Sequence, residues 1–348
     1  MSEYYDRYEK RPPISRETAL FRDLRALLRV AKARAPALRA QIKGTDIDSI
    51  KTRADLARIP VFRKYDLQAL QKDAPPFGGA CATRPAALKR LLVAPGPMFE
   101  PEGHAKDWWN VARALFAAGI RKGDILLNCF SYHLSPGGHI FESGAQVLGC
   151  PVIPAGTGNS EQLLEAIQVL KPAAYCGGPD FLKTLLDRAD ELGRDISCIR
   201  RGLVNGGHLS PAMREEFASR GIEIYQAYGT DELGIVAYES EAKQGLIVNE
   251  GLILEIVGQG TNEPLPPGEM GEIVVTRLNA DYPLLRFGTG DLSMLLKGQS
   301  ACGRTNMRIE IPFGDVDQAL KLQLAELTEL VRPASHPSNT KTIAGNGR

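Results

Sequence analysis

Tyr228-Gly229-Thr230-Asp231-Glu232 brings a glycine, a hydroxyl and two carboxylates together in one short stretch. Glycine lets a backbone approach a ligand closely. Threonine and carboxylate oxygens are hard ligands of the kind Mg²⁺ accepts. The stretch therefore suits a nucleotide phosphate and its metal ion, with Thr230 and Glu232 as the metal-binding and catalytic candidates. The same residue types also make ordinary polar turns, so position has to decide between the two. The stretch follows Ile222-Glu223-Ile224-Tyr225, an apolar run that reads as a strand, and is expected just past that strand's carboxyl end.

The elements that would hold it form a regular alternation from residue 121. Apolar strands are predicted at residues 124–130, 151–154, 173–176, 202–205 and 222–225. Helices are predicted between them at 138–148, 160–170, 179–192 and 210–220, with Ser160 and Ser210 as N-caps. Short apolar strands alternating with helices imply a mostly parallel sheet covered on both faces. In such α/β sheets ligands bind beyond the carboxyl ends of the strands. Those ends are Phe130-Ser131-Tyr132-His133, Ala155-Gly156-Thr157-Gly158, Cys176-Gly177-Gly178, Asn205-Gly206-Gly207-His208 and the opening stretch, all rich in glycine or small polar residues. Their convergence on one edge turns the opening stretch from a turn into a ligand site. Gly156 to Ser160 reads as a helix cap, because no lysine follows as a phosphate loop requires.

Before this core, leucines at helical spacing predict a helix over residues 15–43, broken near Pro36, and a second helical pattern within 47–70. Ala94 to Gly103 reads as a long Pro/Gly loop, followed by a helix over His104 to Ala118. After Glu241 the pattern changes to strands at 245–248, 252–257, 272–276 and 283–287. A turn-rich hairpin, Gly258 to Gly268, separates two of them. This predicts a small β-barrel-like subdomain that ends in Gly288-Thr289-Gly290-Asp291. A last helix is expected at residues 315–330, and a polar, disordered tail from Arg332.

Composition narrows the function. The 348 residues exceed one simple core, and the net charge of +1 offers no electrostatic case for nucleic acid or an anionic membrane. No apolar run is long enough to span a bilayer, and the first residues lack a signal-peptide core, so a cytoplasmic location is expected. Six cysteines at irregular spacing, none in a C-x-x-C pair, argue for reduced structural thiols over a zinc site.

Asn205-Gly206-Gly207-His208, Tyr228 to Glu232, Arg286-Phe287-Gly288-Thr289-Gly290-Asp291 and Gly303-Arg304-Thr305 occur in an order that resembles the adenylate-forming (AMP-binding) enzymes, and within them the phenylacetate–coenzyme A ligase family. Glu263 to Glu272 looks like that family's barrel hairpin. The resemblance covers roughly residues 15–310 and implies that family's N-terminal domain type. It implies ATP-dependent activation of phenylacetate or a related aryl acid as an acyl-adenylate, then transfer to coenzyme A. ATP, Mg²⁺, coenzyme A and the acid are the implied small-molecule partners. The oligomeric state stays open, with a homodimer one option. By resemblance, Gly206, Gly207 and His208 flank the adenine and the acyl carboxylate, and Gln226, Ala227, Tyr228 and Gly229 lie against the nucleotide. Thr230 and Glu232 hold phosphates and Mg²⁺. Asp291 takes the ribose hydroxyls, and Arg304 meets ribose or phosphate. Phe130, Tyr132, His133, Gly137 and Gly138 border the acyl pocket. The implied domains are a helical preface (1–75), the α/β core (76–240), the β subdomain (241–298) and a lid remnant with its tail (299–348).

Three departures from the family pattern stand out. Where the family carries a hydroxyl-rich phosphate loop with a lysine, this chain has Ala94-Pro95-Gly96-Pro97-Met98-Phe99-Glu100. His208 replaces the acid that commonly follows the paired glycines. Only Thr305 to Arg348 follow Arg304, with nothing that matches the family's lid motif; Lys321 and Lys341 lie there. A non-catalytic nucleotide- or acyl-binding homologue, a partner subunit, and an adenylate former with another acceptor remain alternatives.

Overall fold

The structure, a computed structural model, describes residues 3–312. The expected helix at 315–330, the tail, Lys321 and Lys341 lie outside the described residues. Helix α1 (Pro13–Ala31) starts on a proline and buries Leu20, Phe21, Leu24 and Leu28. A break precedes α2 (Pro36–Gln41), where Pro36 supplies the new first turn. The second helical pattern resolves into α3 (Arg53–Leu56), closed by a Thr52/Asp55 capping box, the short strand β1 (Phe62–Arg63) and α4 (Lys64–Asp73).

Strands β2 (Arg90–Ala94) and β3 (Met98–Glu102) form an antiparallel hairpin. The expected long loop is therefore only a turn over residues 95–97. The helix expected from His104 begins later, as α5 (Ala112–Ala117), because the Asp107 carboxylate accepts from Val111 N (2.7 Å) and Ala112 N (3.0 Å) and ends a turn there.

The alternation then follows: β4 (Leu126–Asn128), α6 (Gly137–Leu148), β5 (Val152–Pro154), α7 (Ser160–Leu170), β6 (Ala174–Gly177), α8 (Pro179–Glu191), β7 (Arg201–Val204), α9 (Pro211–Ser219) and β8 (Glu223–Thr230). Ser210 caps α9 through Met213 N. The cap of α7 is Asn159, one residue before the expected Ser160, with its carboxamide oxygen accepting from Glu161 N. Strands β5, β4, β6, β7 and β8 pair in parallel in that order.

Strand β8 is longer than its apolar run suggested, and Tyr228 to Thr230 lie inside it. Beyond it, β9 (Gly234–Tyr238), β10 (Leu246–Val248), β11 (Leu252–Val257), β12 (Met270–Arg277), β13 (Leu284–Leu296) and β14 (Arg308–Ile309) pair antiparallel. They do not stand apart from the core: the order β11-β12-β13-β14-β10-β9-β8 continues the same sheet. Strand β13 runs through the Thr289-Gly290-Asp291 segment instead of ending before it, and β1 adds to it in parallel. Among the described residues no helix is long and apolar enough to cross a membrane.

The preface is bolted to this sheet by Arg286. Its side chain is fully buried. It pairs with Glu255 at 3.0 Å and donates to the carbonyls of Ala57, Ile59 and Asn262. Truncating one partner of a buried pair strands the other charge. Arg286→Ala should therefore destabilise the protein by about 3–5 kcal/mol, measured by urea unfolding, and should expose residues 57–63 to proteolysis.

Candidate active site

The opening stretch is a hairpin tip between β8 and β9, with Thr230 opposite Gly234. Gly234 has a φ of +75°, and a Cβ there would lie 2.4 Å from the Trp109 carbonyl oxygen, so only glycine lets the tip fold onto the core. Thr230 Oγ1 accepts from Leu233 N, and Arg277 Nη1 donates to the Glu232 carbonyl at 2.7 Å. Arg277 also donates to Trp108 O and stacks over the Trp108 ring. Its full burial lowers its pKa to about 10, with Tyr282 and Glu100 opposing the shift.

A cleft of about 670 Å³ opens at this tip. Gly229, Thr230, Asp231 and Gly206 line it, and so do Phe130, Gly137, Ile140, Phe141 and Phe181. The Phe130 and Phe141 rings stack at 4.3 Å, forming an aromatic wall. Gly138 is needed beside that wall, because a Cβ there would sit 2.6 Å from the Tyr132 ring. Asn128 Nδ2 donates to both the Tyr132 hydroxyl and the Gly138 carbonyl and fixes the loop between them.

Tyr228 Oη donates to Asp291 Oδ2 at 2.7 Å and to Thr289 Oγ1 at 3.1 Å. This brings Tyr228 and Asp291, distant in sequence, to one spot. Gly207 and His208 are exposed on the loop after β7.

Several expected residues are placed otherwise. Arg304 is not turned toward the cleft. It is 1% exposed, paired with Glu9 Oε1 at 2.9 Å and Glu241 Oε2 at 3.0 Å, with Tyr4 beneath its guanidinium. Burial works against its charge, but Glu9, Cys302 and Tyr238 together outweigh it and the pKa is raised. Gln226 is buried in the sheet, where its side chain and backbone N–H both donate to the Glu239 carboxylate, and Ala227 is buried beside it. His133 is exposed on the loop after β4 and does not line the cleft.

Lys64 was not singled out from the sequence. It begins α4 in the preface, yet its Nζ lies 2.9 Å from Glu232 Oε1 and it lines the cleft. Burial opposes its charge, but Glu232, with Asp231 and Glu100, outweighs it and holds it more firmly protonated than a free lysine. Sequence alone gives no sign of the pairing, because it spans the preface and the core.

Glu232 is fully buried, and apart from this ion pair neither of its oxygens has a hydrogen bond. A buried carboxylate whose one charged partner is Lys64, two residues from Thr230, fits a hard cation. Among the described residues no three His, Cys, Asp or Glu side chains converge on one point. A magnesium site of the nucleotide type takes one or two carboxylates and completes its shell with phosphates and water.

Asp231 is pushed up to about 6, chiefly by burial and then by Glu232, with Lys64 opposing. Glu100, on β3, is raised well above the usual range by burial, and Glu232 and Asp231 add to the shift. For a carboxyl whose folded pKa is raised, the stabilising contribution is complete below the unfolded pKa and is lost as pH rises through the folded value. Asp231→Asn should therefore raise the melting temperature by a few degrees at pH 7 relative to the parent. The gain should fade as pH falls from 6 to below 4, measured by calorimetry across that window.

Comparisons with known proteins place the chain in a family. An AMP-binding enzyme family profile matches residues 108–279. A phenylacetate-coenzyme A ligase from Pseudomonas putida is 31% identical over 317 residues, which cover 82% of this chain and 71% of that protein. The chain belongs to the phenylacetate–coenzyme A ligase family. The ligase from Aromatoleum evansii is 33% identical over 269 residues, and the match spans 73% of this chain but only 60% of that protein's length. The fold superposes on a 2-hydroxyisobutyryl-CoA ligase in complex with an acyl-AMP with a TM-score of 0.84 at 25% identity, covering 91% of this chain and 71% of the other.

Proposed function

We propose that this chain activates an aryl or arylacetic acid with ATP as an acyl-adenylate and passes the acyl group to the thiol of coenzyme A. The observation that carries this reading is the single cleft joining the Phe130–Phe141 wall to the Gly229-Thr230-Asp231 tip. An aromatic acid held on that wall would present its carboxylate toward the tip. The carboxylate oxygen would attack the α-phosphorus and pyrophosphate would leave. The thiol sulfur would then attack the acyl carbon, breaking its bond to AMP.

In this reading Asp291, oriented by Tyr228, accepts the ribose hydroxyls, since a carboxylate can bind a diol through paired hydrogen bonds. Gly206 and Gly207 let the chain pass close to the adenine, with His208 at the rim. Glu232 and Thr230 would hold Mg²⁺, which supplies charge neutralisation on the phosphates. Lys64, which lines the cleft beside Glu232, would be the cation available to a phosphate. Related ligases of known structure carry acyl-AMP, which supports the adenylate as intermediate. The proline turn at residues 95–97 favours a second reading, in which the same cleft binds an acyl-adenylate without forming it.

Pyrophosphate exchange into ATP should depend on added phenylacetate or a close aryl acid. No exchange across a panel of aryl acids, with nucleotide still bound, selects the second reading. Asp291→Ala should weaken adenosine nucleotide binding about tenfold, near 1.4 kcal/mol, by calorimetric titration. Glu232→Gln should abolish Mg²⁺-dependent exchange while the far-ultraviolet circular dichroism stays that of the parent.

A further inference from the structure

Arg25, Arg29, Lys32, Arg34, Arg39 and Lys43 fall between Asp23 and Asp46 with no acid among them. Arg25 donates to the Ile50 carbonyl at 2.8 Å, and Arg29 pairs with Asp48. Arg34, in the bend between α1 and α2, forms no hydrogen bond or ion pair with the described residues. It lines a pocket of about 210 Å³ together with Arg84, which has no such partner either. Arginines that line other pockets are engaged: Arg220 pairs with Asp190, and Arg16 with Glu250. Here two guanidinium groups share one pocket with their donors unused.

No Asp or Glu lines this pocket. Asp281 touches its loop, but its side chain accepts from Thr83 Oγ1 and its carbonyl from Ala82 N at 2.7 Å. Asp73, at the end of α4, is exposed and pairs with neither arginine. Burial pushes the Cys81 thiol, which also lines the pocket, up to about 11, so it adds no negative charge near neutral pH. The Thr83 and Arg84 N–H groups close no hydrogen bond with the described residues. Pro75, Pro76, Pro85 and the buried Phe77 supply an apolar wall. The pocket reaches Ala74, just past α4, whereas Lys64 at the start of that helix lines the cleft. At about 1.5 Å per residue, the two places lie roughly 15 Å apart along α4.

We infer that this pocket is an anion site outside the cleft, and that it takes the dianionic phosphate of a phosphomonoester or of free phosphate. A guanidinium presents parallel N–H donors in a plane that matches two phosphate oxygens. Two of them balance a dianion, where a carboxylate or a phosphodiester would leave one positive charge unanswered. The proline and phenylalanine wall leaves an apolar surface for whatever carries the phosphate. The inference stands on the pocket alone and does not rest on the acyl-activation reading. Inorganic phosphate and the 3′-phosphate of coenzyme A present the same chemistry, and the experiment separates them.

The test begins with the full chain and phenylglyoxal, which modifies accessible arginines, mapped by mass spectrometry. Inorganic phosphate should protect both Arg34 and Arg84, while chloride and acetate at the same ionic strength should not. Calorimetric titration then compares the parent with the double variant Arg34→Gln, Arg84→Gln. Phosphate affinity should fall about tenfold or more in the double variant, with the far-ultraviolet circular dichroism unchanged. Coenzyme A weakened in that variant while dephospho-coenzyme A is not identifies the coenzyme's phosphate as the ligand. Both coenzymes unchanged, with inorganic phosphate lost, identifies free phosphate. Equal protection by acetate overturns the phosphate assignment. No protection of either arginine, or an unchanged phosphate affinity in the folded double variant, overturns the site. Should the double variant fail to fold, protection in the parent protein decides alone.

Discussion

Strand β8 is hydrogen-bonded in two senses along its length. Glu223 to Gln226 pair in parallel with β7, and Ala227 to Thr230 pair antiparallel with β9. A parallel neighbour needs a crossover helix, while an antiparallel one needs only a tight turn. The change of partner therefore marks where the helix-covered half of the sheet gives way to the strand-rich half. The ladder irregularity at Tyr228 and Gly229 absorbs the mismatch. The residues at that switch are the ones whose hydroxyl and carboxylate chemistry faces the cleft. Site and topology change share one strand, because the antiparallel pairing with β9 carries β8 on to the tip that lines the cleft.

Three buried arginines hold the elements around that strand. Arg277 grips the carbonyls of Trp108 and Glu232, Arg286 those of Ala57, Ile59 and Asn262, and Arg304 the acids Glu9 and Glu241. A guanidinium offers five donors in a fixed plane, so one residue can satisfy partners from several segments at once. Each such arginine converts a sequence-distant contact into a fixed geometry. The cost of burying its charge is offset only while all partners are in place.

The alternation of strands and helices was legible because each apolar run is short and bounded by glycine, proline or a cap residue. The placement of Thr230, Gly229, Gly206 and Phe130 along one cleft followed from strand order, and that of Gly137 from the family resemblance. Other features were not readable. The Asp107 side chain cut the expected helix short, a local competition between carboxylate and backbone that periodicity does not register. The end of β8 was set by the pairing partner β9, not by its own composition. Arg304 and Lys64 traded roles relative to expectation: the arginine in a motif became a brace, and a lysine outside any motif reached the site. Both outcomes depend on contacts between segments far apart in sequence, which local pattern cannot supply.

The Glu9–Arg304 pair joins residues 295 positions apart. During synthesis at roughly 5–20 residues per second, Glu9 leaves the ribosome long before its partner exists. In that interval its carboxylate has the nearby backbone N–H of Tyr5 as a local donor, meets the Tyr238 hydroxyl only when β9 emerges, and lacks a charged partner from Arg304 until last. The segment from Glu3 to Arg11 is therefore a late arrival in assembly, stitched down after the sheet has formed. In a nascent chain the seam between this segment and Arg304 can close only once the strands before β14 have emerged.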